Sequence, residues 1–345
     1  MRRFIIILAF CLFTGLFSSC RSDKPKTTDV GPKASGANRV WVCNEGNFQQ
    51  GNSELGIYNP DKLEYSPQVF EMVNGKSIGD VLQSIYFFDD LAYLIVNNSG
   101  KIVVVDTSSF ALVKEIPGFN SPRYMLQVAP SKAFVSDLYS DEISVLDLEN
   151  DSILKTIPCG NWTEKMIQFQ NKVFATLPLH DQVYVLDAFS YQVLDSISVA
   201  FGSNSLVLDK NQNLWVLCSG SGSENRAGGL YKIDPNNHTI QSQWPLNESK
   251  LPSHLSIDAQ GENMYFIYKD LFKMNISDPG IPSTPFFHAN GKVFYGMNLD
   301  QSRNEIYLAN AKDFVQKGEA LRLDSNAAII STFPTGFNPN GFYFE

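Results

Sequence analysis

Histidine is scarce in this chain of 345 residues: there are four, His180, His238, His254 and His288, and no pair has the close spacing of a local zinc motif. A Gly-Xaa-Ser-Xaa-Gly elbow, a phosphate-binding loop and an Asp-rich calcium loop are also missing, which removes the chemistries that announce themselves in short motifs. Of the five cysteines, Cys11 and Cys20 lie near the N-terminus. The other three, Cys43, Cys159 and Cys218, are odd in number and have no paired spacing, so no disulfide framework is expected. Cys43 and Cys218 fall in or beside apolar strands and read as small buried hydrophobes. Positive charge is in deficit, with 27 basic against 36 acidic residues. That balance argues against nucleic acid or an anionic lipid surface as ligand. No long helical period, low-complexity tract or internal linker interrupts the chain beyond residue 38.

What the chain does have is repetition. A short aromatic strand recurs seven times: Val40-Trp41-Val42, Ala92-Tyr93-Leu94, Ala133-Phe134-Val135, Val173-Phe174-Ala175, Leu214-Trp215-Val216, Met264-Tyr265-Phe266 and Ile306-Tyr307-Leu308. The spacing falls in the range of propeller blades and solenoids. A second marker keeps step with it, an Asp or Asn closing an apolar strand at Asn59, Asp106, Asp147, Asp187, Asp234, Asn275 and Asp324. Such a residue can bond its own backbone two residues on and so reverse the chain. A third strand precedes each aromatic one, as in Tyr124–Val128, and a fourth follows each anchor, as in Ala111–Ile116.

Four antiparallel strands per unit and seven units predict an all-β, seven-bladed β-propeller over residues 38–345. The first aromatic strand lacks a predecessor, and the C-terminal segment Asn340–Glu345 lacks a successor. The C-terminal strand is therefore expected to complete the N-terminal blade and close the ring, leaving no open sheet edge. Residues repeated once per blade serve packing between sheets, so functional side chains are sought among those that break the repeat.

The first nineteen residues read as a lipoprotein signal peptide: Arg2-Arg3, an apolar run from Phe4 to Phe13, and then Leu16-Phe17-Ser18-Ser19-Cys20. The run is too short to span a membrane as a stable helix. The small residues before Cys20 fit a lipobox, although Phe17 stands where Leu is usual. Cys20 is thus the expected lipidation site, and polar residues 20–37 the flexible tether.

One face of a propeller is built from the loops that enter each inner strand and those that join its second and third strands. Here they carry amides, aromatics and a few charges that no strand requires. The candidate ligand-binding residues are Glu45, Asn47, Phe48, Asn97, Asn98, Arg123, Tyr124, Asp137, Tyr139, Trp162, Glu164, Asn204 and Asn340, with Arg123, Tyr124, Tyr139 and Trp162 as main anchors. Each could instead pack beneath its loop. The mixture suits a large, polar, mostly uncharged ligand, because aromatic rings give contact area at low entropy cost and amides give direction.

Asn44-Glu45-Gly46-Asn47, Asn74–Asp80, Val96–Ile102, Ser121-Pro122-Arg123-Tyr124 and Asp137-Leu138-Tyr139 resemble recurrent motifs of the YncE-like, surface-layer-type propeller lipoproteins of gram-negative anaerobes. The best understood of these bind cobalamin (vitamin B12) at the cell surface and hand it to a TonB-dependent outer-membrane transporter. The resemblance implies a non-enzymatic, lipid-anchored outer-membrane protein whose loop face holds a corrinoid and covers such a transporter. Thr163-Glu164-Lys165-Met166 departs from the Pro-Glu-Gly-Met common in relatives. Two alternatives remain: an adhesion or scaffold propeller binding a protein or glycan, and a propeller lactonase or lyase with an axial metal or acid–base cluster.

Overall fold

The computed structural model describes residues 39–247 and 251–345. The proposed signal segment, Cys20 and the tether 20–37 lie outside the described residues. Seven antiparallel sheets follow one another along the chain, and each inner strand packs against the next around one axis. The fold is the seven-bladed β-propeller predicted from the repeats.

The inner strands are Leu82–Phe88, Pro122–Ala129, Met166–Phe169, Ser203–Leu208, Ser253–Ile257, Phe294–Asp300 and Pro339–Phe344. The last of these belongs to the first blade: Trp41 pairs with Tyr343, Val42 with Phe342 and Cys43 with Gly341. Arg39 reinforces the closure with a 2.6 Å ion pair to Glu345.

Second strands are buried on both faces because neighbouring blades sandwich them, hence their unbroken apolar runs. All seven recurrent aromatics, Trp41, Tyr93, Phe134, Phe174, Trp215, Tyr265 and Tyr307, are buried. They pack between sheets, as when Trp41 meets Phe87 of the next blade edge to face with centroids 5.2 Å apart. Outermost strands such as Ser152–Pro158 bury little, which is why their sequences turn polar. The anchors act as expected: Asn59, Asp106, Asp147, Asp187, Asp234, Asn275 and Asp324 each accept a backbone N–H two or three residues on.

The sixth blade departs from the four-stranded pattern, with three strands after which residues 276–293 cross its outer edge. Pro279, Pro282 and Pro285 lack the N–H that a ladder needs, so no fourth strand forms there. The edge is capped locally, the N–H groups of Phe286 and Phe287 both donating to the Leu271 carbonyl. The short helix Val69–Asn74 also goes beyond the predicted pattern. It follows a three-residue outer strand, Glu64–Ser66, and inserts Phe70 into the core between the first two blades.

Candidate functional site

Every inner strand carries a β-bulge where it leaves the loop face. Gln83, Asn204, Tyr295 and Asn340 are each an extra residue in the ladder with the second strand. Arg123 and Tyr124 share one opposing position, as do His254 and Leu255. In the fourth blade the Glu164 N–H donates to the Thr176 carbonyl while the Thr176 N–H donates to the Lys165 carbonyl, so both residues address Thr176. A bulge breaks the strict alternation of a strand and re-aims a side chain. Repeated around the ring, it gathers Gln83, Arg123, Lys165, Asn204, His254, Tyr295 and Asn340 at one mouth of the central channel. Gly296 lets the last two of these blades meet, since a Cβ there would lie 2.4 Å from the Asn340 carbonyl oxygen.

Hydrogen bonds run from blade to blade. Tyr295 donates to Glu45 Oε2 and Asn340 Nδ2 to Glu45 Oε1, both at 2.9 Å. Asn340 Nδ2 also reaches the Gln83 carbonyl at 2.9 Å. Arg123 Nη1 donates to Gln83 Oε1. On its other side, Arg123 Nε and Trp162 Nε1 both donate to Glu164 Oε1, at 2.7 and 2.9 Å. The Arg123 guanidinium lies 6.0 Å from the Trp162 ring, and the Lys165 ammonium 5.6 Å from the Tyr124 ring.

Between the third and sixth blades the mouth deepens into a recess of about 240 Å³, lined by Arg123, Tyr124, Trp162, Glu164, Lys165, Pro178, Asn204, Ser253 and His254. Its chemistry is directional and nearly charge-balanced: aromatic faces, one amide, a hydroxyl, an imidazole, one ion pair and one further lysine. Burial pushes Glu45 above the usual carboxylate range, outweighing its bonds from Tyr295 and Asn340. Burial, reinforced by Lys165, pushes His254 down to about 3, so its imidazole is neutral at physiological pH. Among the described residues no group of three or more His, Cys, Asp or Glu could hold a metal ion.

The His254 shift carries a pH prediction. An imidazole that protonates at its ordinary value when unfolded, and only near pH 3 when folded, destabilises the fold as pH drops below about 6.5. Urea denaturation at pH 7 and pH 5 is expected to show a smaller loss of stability for His254→Gln than for the wild type. Equal losses would remove His254 from the acid response.

Of the predicted site residues, Glu45, Arg123, Tyr124, Trp162, Glu164, Asn204 and Asn340 come together at this mouth. Asn97 and Asp137 are buried beneath it as loop pins. Asn97 donates to the Pro122 carbonyl, while Asp137 accepts the N–H groups of Asn120, Ser121, Tyr139 and Ser140. Asn98 bonds Asp80, and Asn47 lies on the neighbouring 45–53 loop. Phe48 and Tyr139, 61% and 67% exposed, stand on loops of the same face. Sequence reasoning missed Gln83, Lys165, Pro178, Ser253, His254 and Tyr295. Superimposing the seven inner strands would have exposed most of them as polar residues out of phase with the first apolar position.

The fold and the mouth define a seven-bladed β-propeller with a polar, aromatic-lined axial opening. The chain belongs to the family described as Domain of unknown function (DUF5074), which it matches over residues 38–334. No curated protein matches its sequence. Among solved structures it is similar to a quinonprotein alcohol dehydrogenase-like protein from Bacteroides thetaiotaomicron, with TM-score 0.70 and 15% identity over 89% of this chain and 78% of that one. A protein from Lactobacillus plantarum gives TM-score 0.66 and 11% identity over 89% of this chain and 99% of that one. The dihydro-heme d1 dehydrogenase NirN gives 0.59 and 13% over 90% and 76%. At these identities the likeness shows the fold alone, and one fold hosts many functions.

Proposed function

We propose that this protein is a non-enzymatic, lipid-anchored binding protein of the outer-membrane surface that captures a corrinoid (vitamin B12), or a similarly bulky polar nutrient, at the channel mouth. It passes the ligand to a TonB-dependent transporter. The observation that supports this reading is the bulge ring, which sets the Trp162 and Tyr124 rings, the Asn204 amide and the Arg123–Glu164 pair around one recess. A volume of about 240 Å³ is below that of a typical enclosing ligand pocket, roughly 300–1,000 Å³. The ligand therefore lies across the mouth with one arm inserted, and Phe48 and Tyr139 extend the contact outward.

Calorimetric titration of the full chain with cyanocobalamin tests the reading. Saturable heat with micromolar or tighter affinity, lost in Trp162→Ala, is the expected result; a flat trace overturns it. A scaffold role is the second reading, favoured by the apolar loop tips Phe48, Leu179 and Val315, all exposed. It predicts retention of an envelope protein irrespective of any small ligand.

A further inference from the structure

We infer that the recess between the third and sixth blades is an anion-accepting subsite, in which Lys165 pairs with a carboxylate or phosphate group carried by the ligand. The inference deepens the proposed function and rests on its placing the ligand at the channel mouth.

The charges around the recess are unequally matched. Glu164 turns one oxygen, Oε1, to Arg123 and Trp162, accepting from both Arg123 Nε and Trp162 Nε1. Arg123 is held at two points, by Glu164 and by Gln83 Oε1. Lys165 is not held. It is half-buried and lines the recess, yet among the described residues its ammonium has no hydrogen bond and no ion pair, only the Tyr124 ring at 5.6 Å. Ammonium groups carry three donors, and one kept partly from water without an acceptor is costly. The cost is visible in the Lys165 pKa, which burial draws below the usual lysine value despite the proximity of Glu164.

Across the recess from Lys165 stands one further group that can turn a donor toward an anion, the His254 imidazole. Ser253 Oγ lies 2.9 Å from His254 Nδ1. When that hydroxyl donates to Nδ1, the neutral imidazole carries its proton on Nε2 and becomes a further donor. Asn204 Nδ2 donates to the Pro252 carbonyl at 2.9 Å and the Gly202 carbonyl at 3.3 Å, so that amide shapes the rim and leaves the anion to Lys165 and His254. An anionic arm entering here would complete Lys165, whereas a cationic arm would meet an uncompensated positive charge.

Residue-resolved labelling of lysines in the full chain tests the subsite without assuming the ligand. Acetic anhydride acetylation is followed by peptide mass spectrometry while inorganic phosphate, or acetate, is titrated against sodium chloride of matched ionic strength. Lys165 acetylation is expected to slow several-fold and saturably in the millimolar range, while exposed Lys62 responds as it does to chloride. Protection by phosphate but not acetate assigns a phosphate-bearing arm, and protection by both assigns any small anion. No protection, or protection equal to that by chloride, overturns the subsite.

Cyanocobalamin, which carries a phosphodiester, and dicyanocobinamide, which lacks it, then report on the ligand. Lys165→Met is expected to weaken cyanocobalamin about tenfold or more and to leave dicyanocobinamide unchanged, with Lys165→Arg close to wild type. Equal weakening of both ligands overturns the pairing. Lys165 protected by phosphate in a chain that binds no corrinoid would uphold the subsite and end the corrinoid reading.

Discussion

A chain ending at Asn338 is expected not to fold. The deleted segment supplies the inner strand of the first blade, Pro339–Phe344, whose ladder with Val40–Asn44 closes the ring. Phe342 is buried in the core shared by the first and seventh blades, 5.5 Å from the Tyr307 ring. Glu345 accepts from Arg39 and from Trp41 Nε1, and Asn298 accepts the Phe342 N–H. Burial of Phe342 alone contributes roughly 1.5–3 kcal/mol. Adding the lost ladder and the newly wetted faces of Trp41 and Tyr307 exceeds the net stability of most domains, about 5–15 kcal/mol. The unpaired edge of Val40–Asn44 would also recruit other chains. Expression is expected to yield aggregated protein with no cooperative melting transition. Phe342→Ala, which keeps the ladder, should cost about 3–5 kcal/mol and leave a folded protein whose urea midpoint falls. A truncated chain that stays soluble and melts within a few degrees of the wild type would mean that the ring is stable while open.

The same closure was legible in the sequence because its signals are local and redundant. Each blade announces itself twice, by an aromatic such as Phe134 that must fill the space between sheets and by a turn residue such as Asp147 that must accept a backbone N–H. The sixth blade misled because Asn275 closes its third strand as expected, while the prolines that abolish the fourth lie downstream.

The candidate site was legible only in part. Arg123, Tyr124, Trp162 and Glu164 stand out as aromatic or charged residues in loops that do not need them. Lys165, His254 and Tyr295 sit at bulges, and a bulge is invisible to a search for alternating polarity, because it shifts the phase of the strand that contains it. Asp137 was conspicuous for the opposite reason: an acid in a loop looks available, yet both its oxygens already hold backbone N–H groups.

Arg123→Met is expected to be the most damaging single substitution at the mouth, for stability and for binding together. Side-chain exposures of 18% for Arg123 and 8% for Glu164 make this a largely desolvated pair. Burial opposes the Arg123 charge, but Glu164 together with Tyr124 and Glu45 outweighs it and holds the guanidinium pKa above its ordinary value. With Arg123 gone, Glu164 keeps only the Trp162 N–H, and the Gln83 amide loses its acceptor role. Removing one partner of a buried pair typically costs about 3–5 kcal/mol, because the other charge stays buried and uncompensated. Urea denaturation of the variant and the wild type at pH 7 measures the deficit. Arg123→Met combined with Glu164→Leu should recover most of the stability, since an apolar pair of similar volume can replace a buried ion pair. It should not recover ligand binding, because the Trp162 N–H loses its acceptor and the ring is no longer held against the recess. A loss below about 1 kcal/mol in the single variant would reduce the pair to a weakly coupled surface bridge. Full binding in the double variant would move the ligand away from this side of the mouth.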